Sequence, residues 1–189
     1  IASFVMLMTI SAYTQSSRLG IHAGANFTNI SMTSPDFTTD TRVGAQAGLF
    51  YRSGTPIYGE AAVEYLVLQS HISSYEDGIF ITNDDVFFNM VNVPVYVGVR
   101  LMPYDDDELF NTRIYAGPMI SALLNVSDNR MQLETEEFST INISGAAGVG
   151  FDFLPLSVDL GYNFAFTNFF DEDFNGRFHY AFINAGYKF

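Results

Sequence analysis

The sequence is poor in several residue types, and each shortage excludes a class of protein. It has no cysteine, which excludes a disulfide framework, a thiolate metal site and a cysteine nucleophile. Charged residues make up only 15% of the chain, against roughly 25% in a typical soluble domain. Lysine and arginine together number 8 against 21 aspartates and glutamates, which argues against nucleic-acid binding because that function needs a basic surface. A chain with so little charge, no tryptophan and abundant phenylalanine and tyrosine favours a non-aqueous surrounding.

One uncharged apolar run, IASFVMLMTISA, occupies residues 1–12. It is too short for a transmembrane helix, which needs ~20 apolar residues. It resembles the apolar core of a secretory signal peptide, with small residues near Ala12 as a cleavage region, and the alternative is a buried core helix. We predict a signal peptide over residues 1–15, truncated at its start, followed by one domain over residues 18–189.

From residue 18 onward, apolar residues recur at every second position, which is the period of a β-strand with two different faces. In VNVPVYVGVRL, the aliphatic residues from Val91 to Leu101 alternate with Asn92, Pro94, Tyr96, Gly98 and Arg100. Eight such segments cover residues 18–30, 42–51, 58–69, 91–101, 113–124, 141–153, 157–166 and 178–189. Each is about long enough to cross a bilayer at a tilt, for which ~9–11 residues suffice.

The connections between these segments alternate in length. Long polar connections follow the odd-numbered segments: SMTSPDFTTD, HISSYEDGIFITNDD, SDNRMQLETEE and NFFDEDFNG. The connections after the even-numbered segments are RSGTP, PYDDDELFN and LP. Long loops at one end and shorter turns at the other are typical of outer-membrane barrels. We therefore predict an all-β fold, an eight-stranded antiparallel up-and-down transmembrane β-barrel.

The direction of the apolar face does not follow from alternation alone, because a soluble lipocalin-like barrel has the same period. The opposite face, however, is mostly glycine, asparagine and serine, unlike the charged surface of a soluble sheet. Small residues fit the narrow lumen of an eight-stranded barrel, so the aliphatic face is predicted to meet lipid. Aromatic residues near the strand ends are predicted to form the interfacial girdles: Phe27, Tyr51, Phe151, Tyr187 and Phe189.

A few charged residues fall on the inward face and are predicted to form a polar network in the lumen: Glu60, Glu64, Arg100, Arg113, Asp152, Asp159 and Lys188. Buried charges must pair or hydrate, so we expect Glu60 and Glu64 to lie near Arg100 on the adjacent strand. The alternative role for these charges is a gated ion path. A static polar core is favoured because eight strands leave little room for a channel.

Other candidate sites are weaker. His22, His71 and His179 are too dispersed in the sequence to indicate a metal site. The acidic stretch at residues 105–108 lacks the spacing of a calcium loop and is read as a solvated turn. No serine lies in a G-x-S-x-G context. We predict no catalytic residue, no metal and no cofactor, and hence a protein that is not an enzyme.

Several segments carry a family resemblance. AVEYLVLQ, VNVPVYVGVRL, IYAGPMISALL and SVDLGYNFAFTN are similar to segments of the small outer-membrane β-barrel domain family (porin-family, PorT-like, of the OmpA and OmpX type). In this chain Tyr65 follows Glu64 directly, a small departure from the family's Glu-Leu-x-Tyr order. The alternating end of the chain, with Tyr187 and Phe189, resembles the C-terminal signal that the outer-membrane assembly machinery recognises. The resemblance covers most of residues 18–189 and implies a fold and a location in the bacterial outer membrane, but no reaction.

These observations predict a non-enzymatic outer-membrane barrel that anchors and presents extracellular loops. Its expected partners are outer-membrane lipid, the assembly machinery and an unknown protein at the loops, without nucleic acid. A narrow porin-like pore and a membrane component of a secretion machinery are the alternatives, and a soluble lipocalin-like ligand-binding barrel is less favoured.

Overall fold

The computed structural model describes residues 17–32, 37–40, 42–76, 79–102, 110–126, 141–167 and 176–189, and the regular structure in these ranges is β-strand. The strands are β1 (Ser17–Met32), β2 (Phe37–Asp40), β3 (Arg42–Ser53), β4 (Ile57–Glu76), β5 (Ile79–Arg100), β6 (Asn111–Val126), β7 (Ile141–Phe153), β8 (Leu156–Ala165) and β9 (Gly176–Lys188). Within these ranges, no helix is long and apolar enough to cross a membrane.

The strands close into a ring, because β1 pairs with β3 on one side and with the last strand, β9, on the other. From β3 the ring continues through β4, β5, β6, β7 and β8, and every pair is antiparallel. The short β2 pairs with β4 beyond the end of β3 and so occupies the same place in the ring. The result is a closed barrel of eight strand positions, which confirms the predicted fold. Closure pairs the strand edges, as a hydrocarbon surrounding requires.

Burial follows the alternation of the sequence and sets the direction of each face. On β5, Val95 and Val97 are 50% and 64% exposed, whereas Tyr96 between them is 5% exposed. On β3, Leu49 points outward and Phe50 is buried. The aliphatic face therefore lies outside and the mixed face lines the lumen, as predicted, because side chains only just fit inside a barrel of this size.

The two ends of the barrel differ in their connections. At one end, here called the turn end, β3 joins β4 through residues 54–56 and β7 joins β8 through residues 154–155. Gly54 adopts a φ of 111° in the first of these turns, and a Cβ there would lie 2.5 Å from the carbonyl oxygen of Ile57. At the opposite end, here called the loop end, β4 turns into β5.

Two predicted long loops contain strand. The prediction of a loop over residues 71–85 is wrong, because most of this range is strand. Strand β4 continues to Glu76, which pairs with Ile79, the first residue of β5. This stretch is rich in β-branched and aromatic residues, and the Asp77-Gly78 dipeptide favours a two-residue hairpin. The loop expected over residues 31–40 likewise contains the end of β1 and all of β2.

Other predicted segments lie outside the described residues. These are the signal peptide over residues 1–15, the acidic turn over residues 105–108, the connection over residues 127–137 and nearly all of the connection over residues 168–176.

Two prolines, Pro94 on β5 and Pro118 on β6, lie within spanning strands. The pairing of β4 with β5 runs to Ala61↔Val95 and resumes at Glu64↔Asn92, so the positions beside Pro94 are skipped without a change of register. The pairing of β5 with β6 is interrupted in the same way beside Pro118. Proline has no backbone N–H and therefore cannot donate a hydrogen bond to the neighbouring strand. The same register resumes beyond each proline, so the strands stay aligned.

Candidate functional site

Six charged side chains meet inside the turn-end half of the lumen and are here called the charge cluster: Arg52, Glu60, Arg113, Asp152, Asp159 and Lys188. They come from β3, β4, β6, β7, β8 and β9. Every one of these side chains is buried or nearly so, because each occupies an inward position of its strand. The cluster is therefore enclosed by the barrel wall rather than exposed on a surface.

Asp152 on β7 is the centre of this cluster. Its carboxylate oxygens lie 3.4 Å from Nη1 of Arg52, 3.3 Å from Nε of Arg113 and 2.9 Å from Nζ of Lys188. A buried charge is costly unless it is paired, and here one carboxylate faces three cations. Two more carboxylates are needed to balance them.

Glu60 and Asp159 supply that balance. Glu60 accepts a hydrogen bond from Nε of Arg52. The carboxylate of Asp159 accepts one from Nη2 of Arg113 at 2.6 Å. Three cations thus face three carboxylates with alternating sign, and the charge cluster is neutral overall.

Tyr58 on β4, which is 1% exposed, lies beneath the cations. The guanidinium carbons of Arg52, Arg100 and Arg113 lie 5.3, 5.5 and 6.0 Å from the centroid of its ring. Nη1 of Arg113 also donates a hydrogen bond to the hydroxyl of Tyr58 at 3.3 Å. Cations at these distances are attracted to the ring face. Tyr58 therefore holds together arginines from three different strands.

Glycines on adjacent strands make room for these large side chains. A Cβ at Gly98 would lie 2.4 Å from Cζ of Tyr58, and one at Gly150 would lie 2.3 Å from Cζ of Arg113. At either glycine, an added Cβ would force the neighbouring side chain to shift. These two inward glycines therefore each receive a bulky side chain from the adjacent strand.

A layer of polar groups lies at the middle of the lumen. Nε2 of His22 is 3.2 Å from Oε1 of Glu64, within ion-pair distance but outside hydrogen-bond geometry. The imidazole stacks on Phe50, with ring centroids 5.7 Å apart and planes 11° from parallel. Gln46 donates from Nε2 to Oδ1 of Asn184 at 2.9 Å. Side chains from β1, β3, β4 and β9 thus meet at this level.

Several neutral side chains lie in the loop-end half of the lumen, where Arg42 on β3 also has a buried Nε. Asn92 donates from Nδ2 to the hydroxyl of Tyr180 at 3.1 Å, and that hydroxyl lies 3.5 Å from the sulfur of Met119. Asn163 donates from Nδ2 to Oγ of Ser144 at 2.9 Å. Around them lie buried apolar side chains: Leu66, Leu68, Phe88, Met90 and Leu123. The sequence analysis did not select these residues, although Leu66 and Leu68 occupy the inward positions that follow Glu64 on the same strand.

The structure brings together five of the seven lumen charges selected from the sequence: Glu60, Arg113, Asp152, Asp159 and Lys188. Glu64 instead contacts His22, and Arg100 donates from Nη1 to the carbonyl oxygen of Gly54 at 2.7 Å.

The expected approach of Glu60 and Glu64 to Arg100 is replaced by contacts with Arg52 and His22. The register explains the change, because Glu60 lies opposite Tyr96 and Glu64 opposite Asn92. Arg100 is therefore displaced along the strand, toward the turn end.

Arg52 is the cluster residue that sequence reasoning missed. It was assigned to the RSGTP turn, but β3 continues to Ser53 and Arg52 is 1% exposed. The signal was present in the sequence, because the inward positions Gln46, Gly48 and Phe50 are followed two residues later by Arg52.

Of the weaker candidates, the side chains of His22 and His179 lie within the described residues. In the ranges that the structure describes, no group of three or more His, Cys, Asp or Glu side chains is placed to hold a metal ion. His179 accepts a hydrogen bond at Nδ1 from the backbone N–H of Ala165 at 3.3 Å. The side chains of His71 and of residues 105–108 lie outside the described residues.

The outer wall carries the aromatic residues predicted for the girdles. Tyr51, Tyr187 and Phe189 are exposed at the turn end, with Phe151 half-exposed nearby, and Phe27 is exposed toward the loop end. Tyr187 and Phe189 contact each other edge to face at 5.4 Å between centroids. The backbone N–H of Phe189 donates to the carbonyl of Leu19 at 2.8 Å, so the last residue takes part in closing the barrel.

A match over the whole chain decides its family. The model of the outer membrane protein beta-barrel domain matches residues 1–189. The chain belongs to this family. As a member, it is a protein of the bacterial outer membrane. Together with the outward aliphatic wall, this removes the soluble lipocalin-like alternative.

Small outer-membrane barrels of known structure resemble this family member. OprG from Pseudomonas aeruginosa aligns with a TM-score of 0.56 and 12% identity, covering 93% of this chain and 97% of OprG. Neisserial surface protein A aligns with a TM-score of 0.50 and 13% identity, covering 90% and 97%. Ail from Yersinia pestis aligns with a TM-score of 0.47 and 15% identity, covering 92% and 99%. At such identities the likeness is one of fold alone. No curated protein sequence matches the chain.

Proposed function

We propose that this outer-membrane barrel is a non-conducting anchor whose role is to present its loop-end connections to the cell exterior, where a protein partner binds. The supporting observation is that hydrogen bonds cross the full diameter of the lumen. Arg52 on β3 reaches Asp152 on β7 at 3.4 Å, and Asn92 on β5 reaches Tyr180 on β9 at 3.1 Å. In the order of the ring, both pairs of strands lie on opposite sides.

These two contacts lie at different depths. The first belongs to the charge cluster in the turn-end half, and the second belongs to the neutral half toward the loop end. Glu64, which lies opposite Asn92 in the pairing of β4 with β5, adds a further contact inside the lumen, 3.2 Å from His22. An ion would have to displace side chains at each depth, and removing a partner from a buried charge pair costs about 3–5 kcal/mol. A static core therefore accounts for the contacts better than a conducting path does.

The β4–β5 hairpin supports the presentation of a surface at the loop end. Strand β5 begins at Ile79, and among the described residues its pairing with β6 begins at Phe88. The preceding residues pair with β4 as far as Glu76, and at 3.4 Å a residue this stretch is roughly 30 Å long. The hairpin therefore continues well past Val126, the last residue of β6 that the structure describes.

Planar-bilayer conductance tests the closed lumen. The folded barrel should give no current steps above the lipid baseline, whereas a variant with both crossings removed, Arg52→Ala with Tyr180→Ala, should give steps if it folds. The shift in gel mobility between unboiled and boiled samples reports folding of each protein. Steps from the native protein that change in size in a Tyr180→Ala variant would refute the closed lumen. Steps that no lumen substitution alters would identify a contaminating porin.

Surface labelling tests the orientation on which presentation depends. A short epitope inserted between Asp77 and Gly78 should be reached by antibody on intact cells. The same epitope inserted between Thr55 and Pro56, at the turn end, should be reached only after the outer membrane is opened. The reverse result would overturn the proposal that the loop end faces outward.

A further inference from the structure

The outer wall of the barrel carries hydrogen-bonded polar side chains at two levels. Near the turn end, Tyr51 is 50% exposed and its hydroxyl donates to Oγ of Ser17 at 3.0 Å, while Oγ of Ser17 lies 3.0 Å from Oγ of Ser53. The two serines pair with each other two residues nearer the turn end than Tyr51, so the phenol group points toward that end. These three side chains are here called the turn-end patch.

The second set lies farther toward the loop end and is here called the loop-end patch. Tyr65, which is 48% exposed, donates from its hydroxyl to Oδ1 of Asn89 at 2.8 Å, and Nδ2 of Asn89 donates to Oδ1 of Asn125 at 2.6 Å. Asn89 lies opposite Val67, two residues nearer the loop end than Tyr65. The phenol groups of Tyr65 and Tyr51 therefore point toward opposite ends of the barrel.

A β-bulge places Asn125 on the outer wall. Met90 pairs with Leu123 and Asn89 pairs with Asn125, so Leu124 is an extra residue on β6. Strict alternation from the buried Leu123 would direct Asn125 into the lumen, whereas the extra residue turns it outward beside Asn89, where it is exposed. A local irregularity of the backbone thus adds a second amide to the loop-end patch.

The pairing register gives the separation of the two patches along the barrel axis. Following the paired residues once round the ring from Ser53 leads back to β3 at Val43, ten residues nearer the loop end, because the strands are tilted. Val97 lies two of the eight steps along this path and so gains about a quarter of that shift, and Asn89 lies eight residues farther along β5. At ~3.4 Å a residue and a tilt of ~45°, the distance from Ser53 to Asn89 along the axis is roughly 25 Å.

This separation equals the height of the apolar band of outer-membrane barrels, about 25 Å. Between the two patches, Val93 and Val95 on β5 are 41% and 50% exposed and face acyl chains. An amide on the same wall would lose hydrogen bonds to water if it faced hydrocarbon, which is costly. Asn89 and Asn125 are therefore stable on the outer wall only where other polar groups surround them.

The level of the loop-end patch continues on the far side of the ring. His179 on β9 stacks on the exposed Tyr162, with ring centroids 6.5 Å apart. The same register brings His179 within about one residue of the height of Asn89. Outward polar side chains thus occur at one height on opposite walls.

From these observations we infer that the two patches lie at the two surfaces of the hydrocarbon layer, and that Tyr65, Asn89 and Asn125 bond to the headgroups of the adjacent lipid leaflet. Amide and phenol groups can bond to the phosphate and ester oxygens of those headgroups. The β4–β5 hairpin beyond Asn89 then stands clear of the acyl chains. The inference holds for either orientation of the barrel, so it does not rest on the proposal that the loop end faces outward.

Spin labels test the depth of the two patches, and the lack of cysteine allows single-cysteine variants without further changes. Nitroxides at Ser53, Val95 and Asn125 of the barrel in phosphatidylcholine vesicles are compared by their accessibility to oxygen and to a water-soluble nickel chelate. Val95 should give the highest ratio of oxygen to nickel accessibility, whereas Ser53 and Asn125 should both match a headgroup-labelled lipid. A ratio at Asn125 as high as that at Val95, or as low as that of a label in bulk water, would overturn the inference.

Variants test whether the amides determine where the hydrocarbon ends. Asn89→Leu combined with Asn125→Leu should let acyl chains extend toward the loop end, so a label at Gln69, two outward positions beyond Tyr65 on β4, should increase its oxygen-to-nickel ratio. Val93→Leu is the matched control and should leave that ratio unchanged. Heat-modifiable gel mobility reports folding, and Asn125→Leu alone gives the same comparison if the double variant does not fold. An unchanged ratio at Gln69 in a folded variant would contradict headgroup bonding by the patch.

Discussion

Inside the turn-end half of the lumen, arginine, lysine and carboxylate groups alternate around Asp152, whereas most of the buried side chains described in the loop-end half are leucine, methionine, tyrosine and amide groups. In the first half, every charged group of the cluster has an opposite charge within 3.5 Å. In the second half, hydroxyl and amide groups retain unused hydrogen-bonding capacity beside a cavity.

Because of this difference, the two halves contribute differently to the stability of the barrel. A charge cluster stabilises only in one arrangement, because any lost partner leaves a buried charge uncompensated. The turn-end half therefore fixes the geometry across the barrel. The described side chains of the loop-end half rely on apolar packing and neutral hydrogen bonds, which tolerate rearrangement better.

The largest expected effect comes from removing the central carboxylate. Asp152→Asn keeps the shape of the side chain but leaves three cations facing two carboxylates. We expect the free energy of unfolding to fall by about 3–5 kcal/mol, as for other buried ion pairs that lose one partner. Urea unfolding in lipid vesicles, followed by far-ultraviolet circular dichroism, measures the change, since the chain has no tryptophan for fluorescence.

A second variant tests whether charge is the cause. Adding Lys188→Met to Asp152→Asn removes one excess cation, because Nζ of Lys188 lies 2.9 Å from Asp152. The double variant should be more stable than Asp152→Asn alone. If the two losses simply add, the cluster is not electrostatically coupled and the comparison between the halves fails.

A smaller effect is expected in the neutral half. Leu66→Ala removes a buried side chain that lines the small cavity in this half. Leucine-to-alanine changes in cores cost about 2–5 kcal/mol, and we expect about 2 kcal/mol here because part of the side chain already faces empty space. Leu66→Met, which conserves volume, should cost less than about 1.5 kcal/mol. A loss for Leu66→Ala as large as that for Asp152→Asn would mean that both halves contribute equally to stability.

Period-two alternation and the alternating lengths of the connections were sufficient to predict the barrel and its eight strand positions. A strand has only two faces, and composition distinguished them. Alternation also placed Glu60, Asp152 and Lys188 on the inner face. The same rule applied one step further would have placed Arg52 there, since it lies two residues after Phe50 on β3.

The partners of these charges could not be predicted. Arg52 and Asp152 are separated by 100 residues, and their contact depends on the depth of each residue along the barrel axis. That depth follows from the register of every strand pair between them, which alternation leaves undetermined. The failed expectation for Arg100 has this cause. The small cavity beside Leu66 in the loop-end half of the lumen could not be predicted for a related reason, because it is lined by residues from β4 to β9 and no local segment contains it.

The smallest effect concerns the glycine beside Tyr58. Gly98→Ala would place a methyl group 2.4 Å from the tyrosine ring and 2.7 Å from the carbonyl oxygen of Ile114. We expect a loss of about 1–2 kcal/mol, in the range of other overpacked cores, because the ring must shift away from the arginines around it. Gly59→Ala is the matched control, since a Cβ there meets no atom within 4 Å, and its stability should stay within about 0.5 kcal/mol of the native value. Equal losses in the two variants would mean that glycine is needed for the strand itself. A loss confined to Gly98→Ala would instead locate the requirement in the space that Tyr58 occupies, and through that ring in the charge cluster.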